Sequence, residues 1–120
     1  MSHSGVHPRR GEVWLVDFDP TKGSEIKKKR PAIVVSSDGV GKLPVKLVVP
    51  ITEWNDNFSD KAWHVRLDPS GQNGLTKPSS ADCLQLRCVG ILRFEKRLGK
   101  IGPDQVEEVV LGVGFVIEHP

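Results

Sequence analysis

The sequence predicts a mainly β domain that ends in a helix. β-branched and aromatic residues gather in short runs between turn formers rich in Gly, Pro and Asp. The first of these runs are apolar on both faces, which a single flat sheet with one wet side does not require. The last segment changes to helical spacing after Gly102-Pro103-Asp104. The 120 residues suit one domain.

The elements follow in order. Glu12–Phe18 (Glu-Val-Trp-Leu-Val-Asp-Phe) reads as the first strand, broken by the turn formers of Asp19–Ser24. Pro31–Ser37 is the second strand and Val45–Thr52 the third, with a Gly- and Pro-bearing turn between them. Trp63–Leu67 alternates Trp63, Val65 and Leu67 against His64 and Arg66, a fourth strand. Asp68–Pro78 is loop, and Ala81–Leu92 reads as a fifth strand with a bend at Gly90. Val106, Val109, Val110, Val113 and Ile117 follow helical spacing. Val109, Leu111, Val113, Phe115 and Ile117 also alternate as in a strand, and Gly112 and Gly114 weaken a helix. Gln105, Glu107 and Glu108 on the polar side of the first turns decide for the helix. Trp14, Val16 and Phe18 share one face of the first strand, with Val13 and Leu15 on the other. One helix cannot cover both faces. The sheet therefore curls into a small barrel, pairs with another chain, or both.

Composition excludes several classes. Hydrophobic residues are 38% and charged residues 27%, the balance of a globular protein rather than a disordered one. No apolar run approaches the ~20 residues of a membrane span, so no membrane partner is expected. Residues 1–9 lack an apolar signal core and read as a disordered tail before a single domain over 10–120. Cys83 and Cys88, placed on one strand, point to opposite faces and cannot pair. Their spacing fits neither a zinc site nor a redox motif, which indicates a reduced, cytoplasmic protein. The net charge of +2 does not by itself announce a nucleic-acid binder. A polyanion site must come from local clustering.

Such a cluster exists. Lys22–Arg30 holds five bases and one acid, Glu25. A charge run of this kind is either a solvated hairpin tip or a phosphate-binding loop. Arg30 stands apart from Lys27, Lys28 and Lys29. It precedes Pro31, which holds it extended at the mouth of a core strand. If the second and third strands are antiparallel neighbours, Arg30 and Thr52 meet at one rim of the sheet. A fifth strand returning to that rim brings Gln85 and Arg87, two residues apart, onto a shared face. A rim with a guanidinium, a hydroxyl, an amide and a basic loop suits phosphodiester chemistry on RNA. Trp54 in a polar loop is placed either to stack on a base or to cap the fold. His64 lies on the polar face of the fourth strand, where a packed or solvated histidine is commoner than a catalytic one. Asp82 is placed either to pair with a base edge or to bind a Lys or Arg, with the pairing the reading preferred.

The residues Arg10-Gly11-Glu12-Val13-Trp14-Leu15-Val16-Asp17-Phe18-Asp19-Pro20, Gly23-Ser24-Glu25 and Arg30-Pro31-Ala32-Ile33-Val34-Val35-Ser36 resemble the opening blocks of the MazF/PemK toxins of toxin–antitoxin systems. Val49-Pro50-Ile51-Thr52 and Leu84-Gln85-Leu86-Arg87 are similar to two later blocks of that family. The resemblance implies a small SH3-like β-barrel with a C-terminal helix (the CcdB/PemK-like toxin fold) working as a homodimer. It implies a metal-independent, sequence-specific endoribonuclease with no cofactor. Such an enzyme cleaves single-stranded RNA to a 2′,3′-cyclic phosphate and a 5′-OH, and a cognate antitoxin inhibits it. By the same resemblance Arg30, Thr52 and Glu25 are the catalytic residues. Gln85 matches an RNA-contacting glutamine of the family, and Lys27, Lys28, Lys29, Arg87 and Trp54 complete the expected RNA-binding set on their own charge and position. Some members carry Arg and Asp where this chain has Asp82 and Leu84, so that acid–base pair is absent here. The proton acceptor is then Glu25 or water. Two other functions share the fold: a non-catalytic gyrase inhibitor, and a barrel module that only binds nucleic acid.

Overall fold

The computed structural model describes residues 6–19, 23–24, 28–40 and 43–120. Among these residues seven strands and one α-helix follow in the order β1 (Glu12–Asp17), β2 (Lys29–Val34), β3 (Val45–Glu53), β4 (His64–Leu67), β5 (Ser79–Asp82), β6 (Arg87–Gly90), β7 (Phe94–Lys100) and α1 (Pro103–Val116). All the pairings are antiparallel, and β3 is the hub. One edge of β3 pairs with β2. Its other edge pairs with β6 over its first half and with β5 over its second. The path continues from β2 to β1 to β7, and from β5 to β4.

Two expectations need correction. Ala81–Leu92 is not one strand. Asp82 turns its carboxylate back onto the Leu84 amide at 3.2 Å and starts a 3-10 turn at Cys83–Gln85. The register against β3 shifts across that turn, from Ile51↔Ala81 before it to Val48↔Arg87 after it. The second correction is β7, which the sequence does not announce. Four of its seven residues are charged, and only Phe94 is buried. Its charges suit an edge strand that must not pair with other chains. Glu12 on β1 accepts from Arg97 of β7 at 3.0 Å.

The expectation of a two-faced sheet holds, and each face has its own core. On one face Val13, Ile33, Val49, Ile51, Leu67 and Ala81 pack with Val106 and Val109 of α1. On the other face Trp14, Val16, Phe18, Ala32, Val34, Val48, Val89 and Phe94 form a second cluster. No helix covers that face among the described residues; the sheet curls over it. Among the described residues no ladder joins β6 to β7, so the curl is barrel-like but open. Val6 packs against this cluster and Pro8 is fully buried. The described part of the expected tail, residues 6–9, thus joins the domain. Trp14 is a core residue, edge-on to Phe94 with ring centroids 5.8 Å apart.

The helix starts at Pro103, whose fixed φ and missing N–H suit a first turn. The Gly102 amide donates to Gln105 Oε1 at 3.2 Å. Gly112 is required by packing, because a Cβ there would stand 2.6 Å from Cys83 Sγ. Both cysteines are free, with Cys88 exposed and Cys83 buried. Burial, helped by the charge of Asp82, pushes the Cys83 thiol up to about 12. Iodoacetamide is therefore expected to spare Cys83 in the folded protein and to modify it once urea unfolds the chain. Rapid native-state labelling of Cys83, read by peptide mass, would show that α1 does not cover it.

Candidate active site

The second face of the sheet changes character along its length. At one end it is the apolar inside of the curl. At the other it is polar, and the strand register shows why. Side chains alternate along each strand, so Val48, Pro50, Thr52 and Trp54 share this face of β3 and its extension. The β2–β3 ladder ends at Ala32↔Pro50. Arg30 and Thr52 each stand two residues beyond that pair, at the same end of the sheet. The backbone register therefore gives the Arg30–Thr52 part of the rim expected from the sequence. On its far side Arg30 pairs with Val16 of β1.

The same row continues to β5 and β4. Thr52 lies opposite Ser80, and Ser80 lies opposite Arg66. Arg30, Thr52, Ser80 and Arg66 thus form one cross-strand row with a guanidinium at each end. Two strand spacings put the Thr52 and Arg66 backbones about 10 Å apart. His64 lies opposite Asp82 in the neighbouring row. Its Nδ1 is 2.9 Å from Ser80 Oγ. Ser80 is fully buried. The imidazole stacks on Phe58, with centroids 3.6 Å apart and planes 2° from parallel. Burial holds the His64 pKa below its ordinary value; Asp82 opposes that shift and Lys61 adds to it. Burial also raises the Asp82 carboxyl, against the attraction of His64 and the amides of Leu84 and Gln85.

Arg87 reaches this region from the apolar side. Its Cα pairs with Val48, and its guanidinium carbon lies 5.1 Å from the centre of the Phe18 ring. The Phe18 amide donates to the Lys28 carbonyl at 2.9 Å, which sets Phe18 beside the segment leading into Arg30. Arg87 Nη1 is buried without a hydrogen-bond partner among the described residues. A buried guanidinium nitrogen in that state favours an anionic ligand.

The other expected residues are placed as follows. Lys28 is exposed at φ 66°, and its amide donates to Asp19 Oδ1 at 2.9 Å. Lys29 pairs with Glu95 at 3.1 Å. Gln85 closes the 3-10 turn and is not on a strand with Arg87. The shared strand face expected for these two is therefore absent, because the turn intervenes. Trp54 is partly buried, with the Arg66 guanidinium 5.0 Å from its ring centre and Phe58 edge-on to it. Its indole N–H donates to Asp56 at 3.2 Å. Glu25 and Lys27 lie outside the described residues. Arg66 and Ser80 are the additions that the structure makes. The alternation in Trp63–Leu67 marks Arg66 and His64 as one polar face, but nothing local says that Ser80 and Thr52 lie next to it. Among the described residues no group of three or more His, Cys, Asp or Glu side chains is placed to hold a metal ion. No helix among them is long and apolar enough to cross a membrane.

A curled antiparallel sheet with a C-terminal helix, and guanidinium and hydroxyl groups at one end of its inner face, defines a small barrel-like protein with a basic, hydroxyl-bearing rim. The chain belongs to the PemK-like, MazF-like toxins of type II toxin–antitoxin systems, whose family model matches residues 9–117. It is 31% identical over 107 residues to the endoribonuclease MazF9 of Mycobacterium tuberculosis, covering 84% of this chain and 88% of that one. To the endoribonuclease PemK of Escherichia coli it is 35% identical over 107 residues, covering 86% and 76%. A mycobacterial endoribonuclease solved in complex with its cognate antitoxin has the same fold, with a TM-score of 0.73, 17% identity and coverage of 95% and 98%.

Proposed function

We propose that this chain is a toxin that cuts single-stranded RNA at specific sites without a metal or cofactor. The observation that carries the reading is the meeting of Arg30 and Thr52 at the polar end of one sheet face, within a family whose relatives are endoribonucleases. The 2′-hydroxyl attacks the adjacent phosphorus, the bond to the 5′-oxygen breaks, and a 2′,3′-cyclic phosphate and a 5′-OH result. Arg30 clamps the non-bridging oxygens with a bidentate fork and stands near the departing 5′-oxygen as a proton donor. Thr52 donates a further hydrogen bond to the developing charge. The acceptor expected from the sequence is Glu25 or water. Lys27, Lys28, Lys29, Gln85, Arg87 and Trp54 hold the flanking RNA, with Arg87 offering its unpartnered nitrogen to a second phosphate.

The protein works in the cytoplasm as a homodimer held in check by a cognate antitoxin. Supporting a partnered state, Val45, Leu47, Leu84, Leu111, Phe115 and Ile117 are exposed apolar residues on β3, α1 and their surroundings.

The test is a mixed-sequence RNA ladder incubated with purified protein in EDTA, with the new ends mapped. Cuts at a short motif with 5′-OH ends are expected. Inhibited supercoiling by gyrase without RNA cuts would instead mark a gyrase inhibitor. Salt-dependent RNA binding without cuts would mark a binding module.

A further inference from the structure

We infer that the Arg66 guanidinium, braced on the Trp54 ring, is the stacking surface for the base of a nucleotide flanking the scissile phosphate. This rests on the RNA-cleaving reading above and names the residue that senses the base at that position.

Position comes first. Arg66 lies opposite Ser80, and Ser80 lies opposite Thr52, so the three side chains leave the sheet on one face. It is the face of Arg30, because Ile51, Leu67 and Ala81 turn to the other face and its helix-covered core. Trp54 stands two residues beyond Thr52, about 7 Å along the chain. Its amide donates to the Pro78 carbonyl at 3.0 Å, which carries the β3–β5 contact past the end of the strand. The Arg66 guanidinium carbon lies 5.0 Å over the centre of the Trp54 ring. The cation and the ring therefore stand beside the end of β3 that carries Thr52.

Rigidity comes next. Arg66 Nε donates to Asp68 Oδ1 at 3.0 Å. The Trp54 indole N–H donates to Asp56 at 3.2 Å, and Phe58 stands edge-on to the same indole with centroids 5.7 Å apart. Phe58 in turn stacks on His64, whose Nδ1 is 2.9 Å from Ser80 Oγ. The guanidinium is thus the outer end of a connected stack that is anchored in the sheet. Its Arg66 side chain is still 47% exposed, so the side of the plane away from Trp54 is open to a ligand.

The charges choose between a base and a phosphate. Asp56 and Asp68 each hold one member of the stack. Two carboxylates around one guanidinium disfavour a phosphate and leave a flat cation on which a neutral base stacks. Two strand spacings, about 10 Å, separate the backbones of Thr52 and Arg66. That is comparable to the reach of one nucleotide from its phosphate to the far edge of its base. A phosphate between Arg30 and Thr52 therefore sends one flanking base onto Arg66.

Stacking of this kind serves substrate and transition state alike, so its loss falls on KM. The experiment measures kcat and KM on one RNA cut by the wild type, for wild type, Arg66→Ala and Arg66→Lys, with melting curves to monitor folding. Matched RNAs carry an abasic ribonucleotide on the 5′ or the 3′ side of the cut, with the 2′-hydroxyl kept. Arg66→Ala is expected to raise KM about 5–100-fold, with a smaller effect on kcat. Removing one of the two flanking bases should cost the wild type a similar factor and cost Arg66→Ala nothing further. Arg66→Lys keeps the charge but loses the plane, so its KM should resemble that of Arg66→Ala. Near-wild-type KM in Arg66→Lys would make the contact a phosphate clamp and overturn the inference. So would wild-type KM in Arg66→Ala, or an abasic penalty of the same size in that variant as in wild type. The ribonuclease reading survives each of these results, because it rests on Arg30 and Thr52. No cleavage by folded wild type would overturn both.

Discussion

Replacing Arg30 with Ala is expected to lower RNA cleavage by about 10²–10³-fold, the loss typical of removing a donor aimed at developing negative charge. The fold should survive. Arg30 lies at the polar end of its face, beyond the last β2–β3 pair, and belongs to neither apolar cluster. Its strand is held instead by Ala32, Ile33 and Val34, all fully buried. The loss should fall on kcat more than on KM, because charge on the phosphoryl oxygens grows toward the transition state. Arg30→Lys keeps the charge but not the planar fork, and should recover only part of the rate. Single-turnover cleavage of one fixed RNA, beside matched melting curves, reads both. A fully active Ala variant would move the phosphate clamp elsewhere, with Arg66 and Arg87 as the guanidinium groups to examine next.

The largest expected loss of stability lies on the other side of the domain. Gly99 of β7 pairs with Val13. A Cβ on Gly99 would stand 2.1 Å from the Gln72 carbonyl oxygen and 2.7 Å from the Asn73 carbonyl carbon. A Cβ on Gly74, at φ +71°, would stand 2.2 Å from the Leu98 carbonyl oxygen. The turn at 72–74 and strand β7 therefore touch backbone to backbone, and the Lys100 amide donates to the Gln72 carbonyl at 2.9 Å. Backbone cannot swing aside as a side-chain tip can. Gly99→Val should cost about 3 kcal/mol or more. For a chain of this size that lowers the melting temperature by roughly 10 °C or more. A variant that melts with the wild type would mean that the loop does not lie on β7 as described.

The paired clusters and the Arg30–Thr52 rim were legible because they depend on local facts. Alternation along Glu12–Phe18 and Val45–Thr52 states which side chains share a face. Pro31 states that Arg30 is extended. Antiparallel order between neighbouring strands is the simplest connection. Residues 103–116 were legible because Gly102, Pro103 and Gln105 supply a helix start that a strand has no use for.

What the sequence by itself determined is therefore the composition of each face: two apolar sides that must both be covered, by curling or by a partner, a C-terminal helix, unpaired cysteines, and an Arg and a Thr at one rim. Only the tertiary structure decided which strands are neighbours. Strand β7 is mostly charged and gains its place through pairing with β1, which no local pattern reveals. The break at Cys83–Gln85 lets one chain segment serve both halves of β3, and it separates Gln85 from Arg87. The row Arg30–Thr52–Ser80–Arg66 and the bond from His64 to Ser80 join residues from four strands. The reason is physical. Periodicity fixes the side of a strand on which a residue lies, whereas backbone hydrogen bonds between distant segments fix what it lies beside.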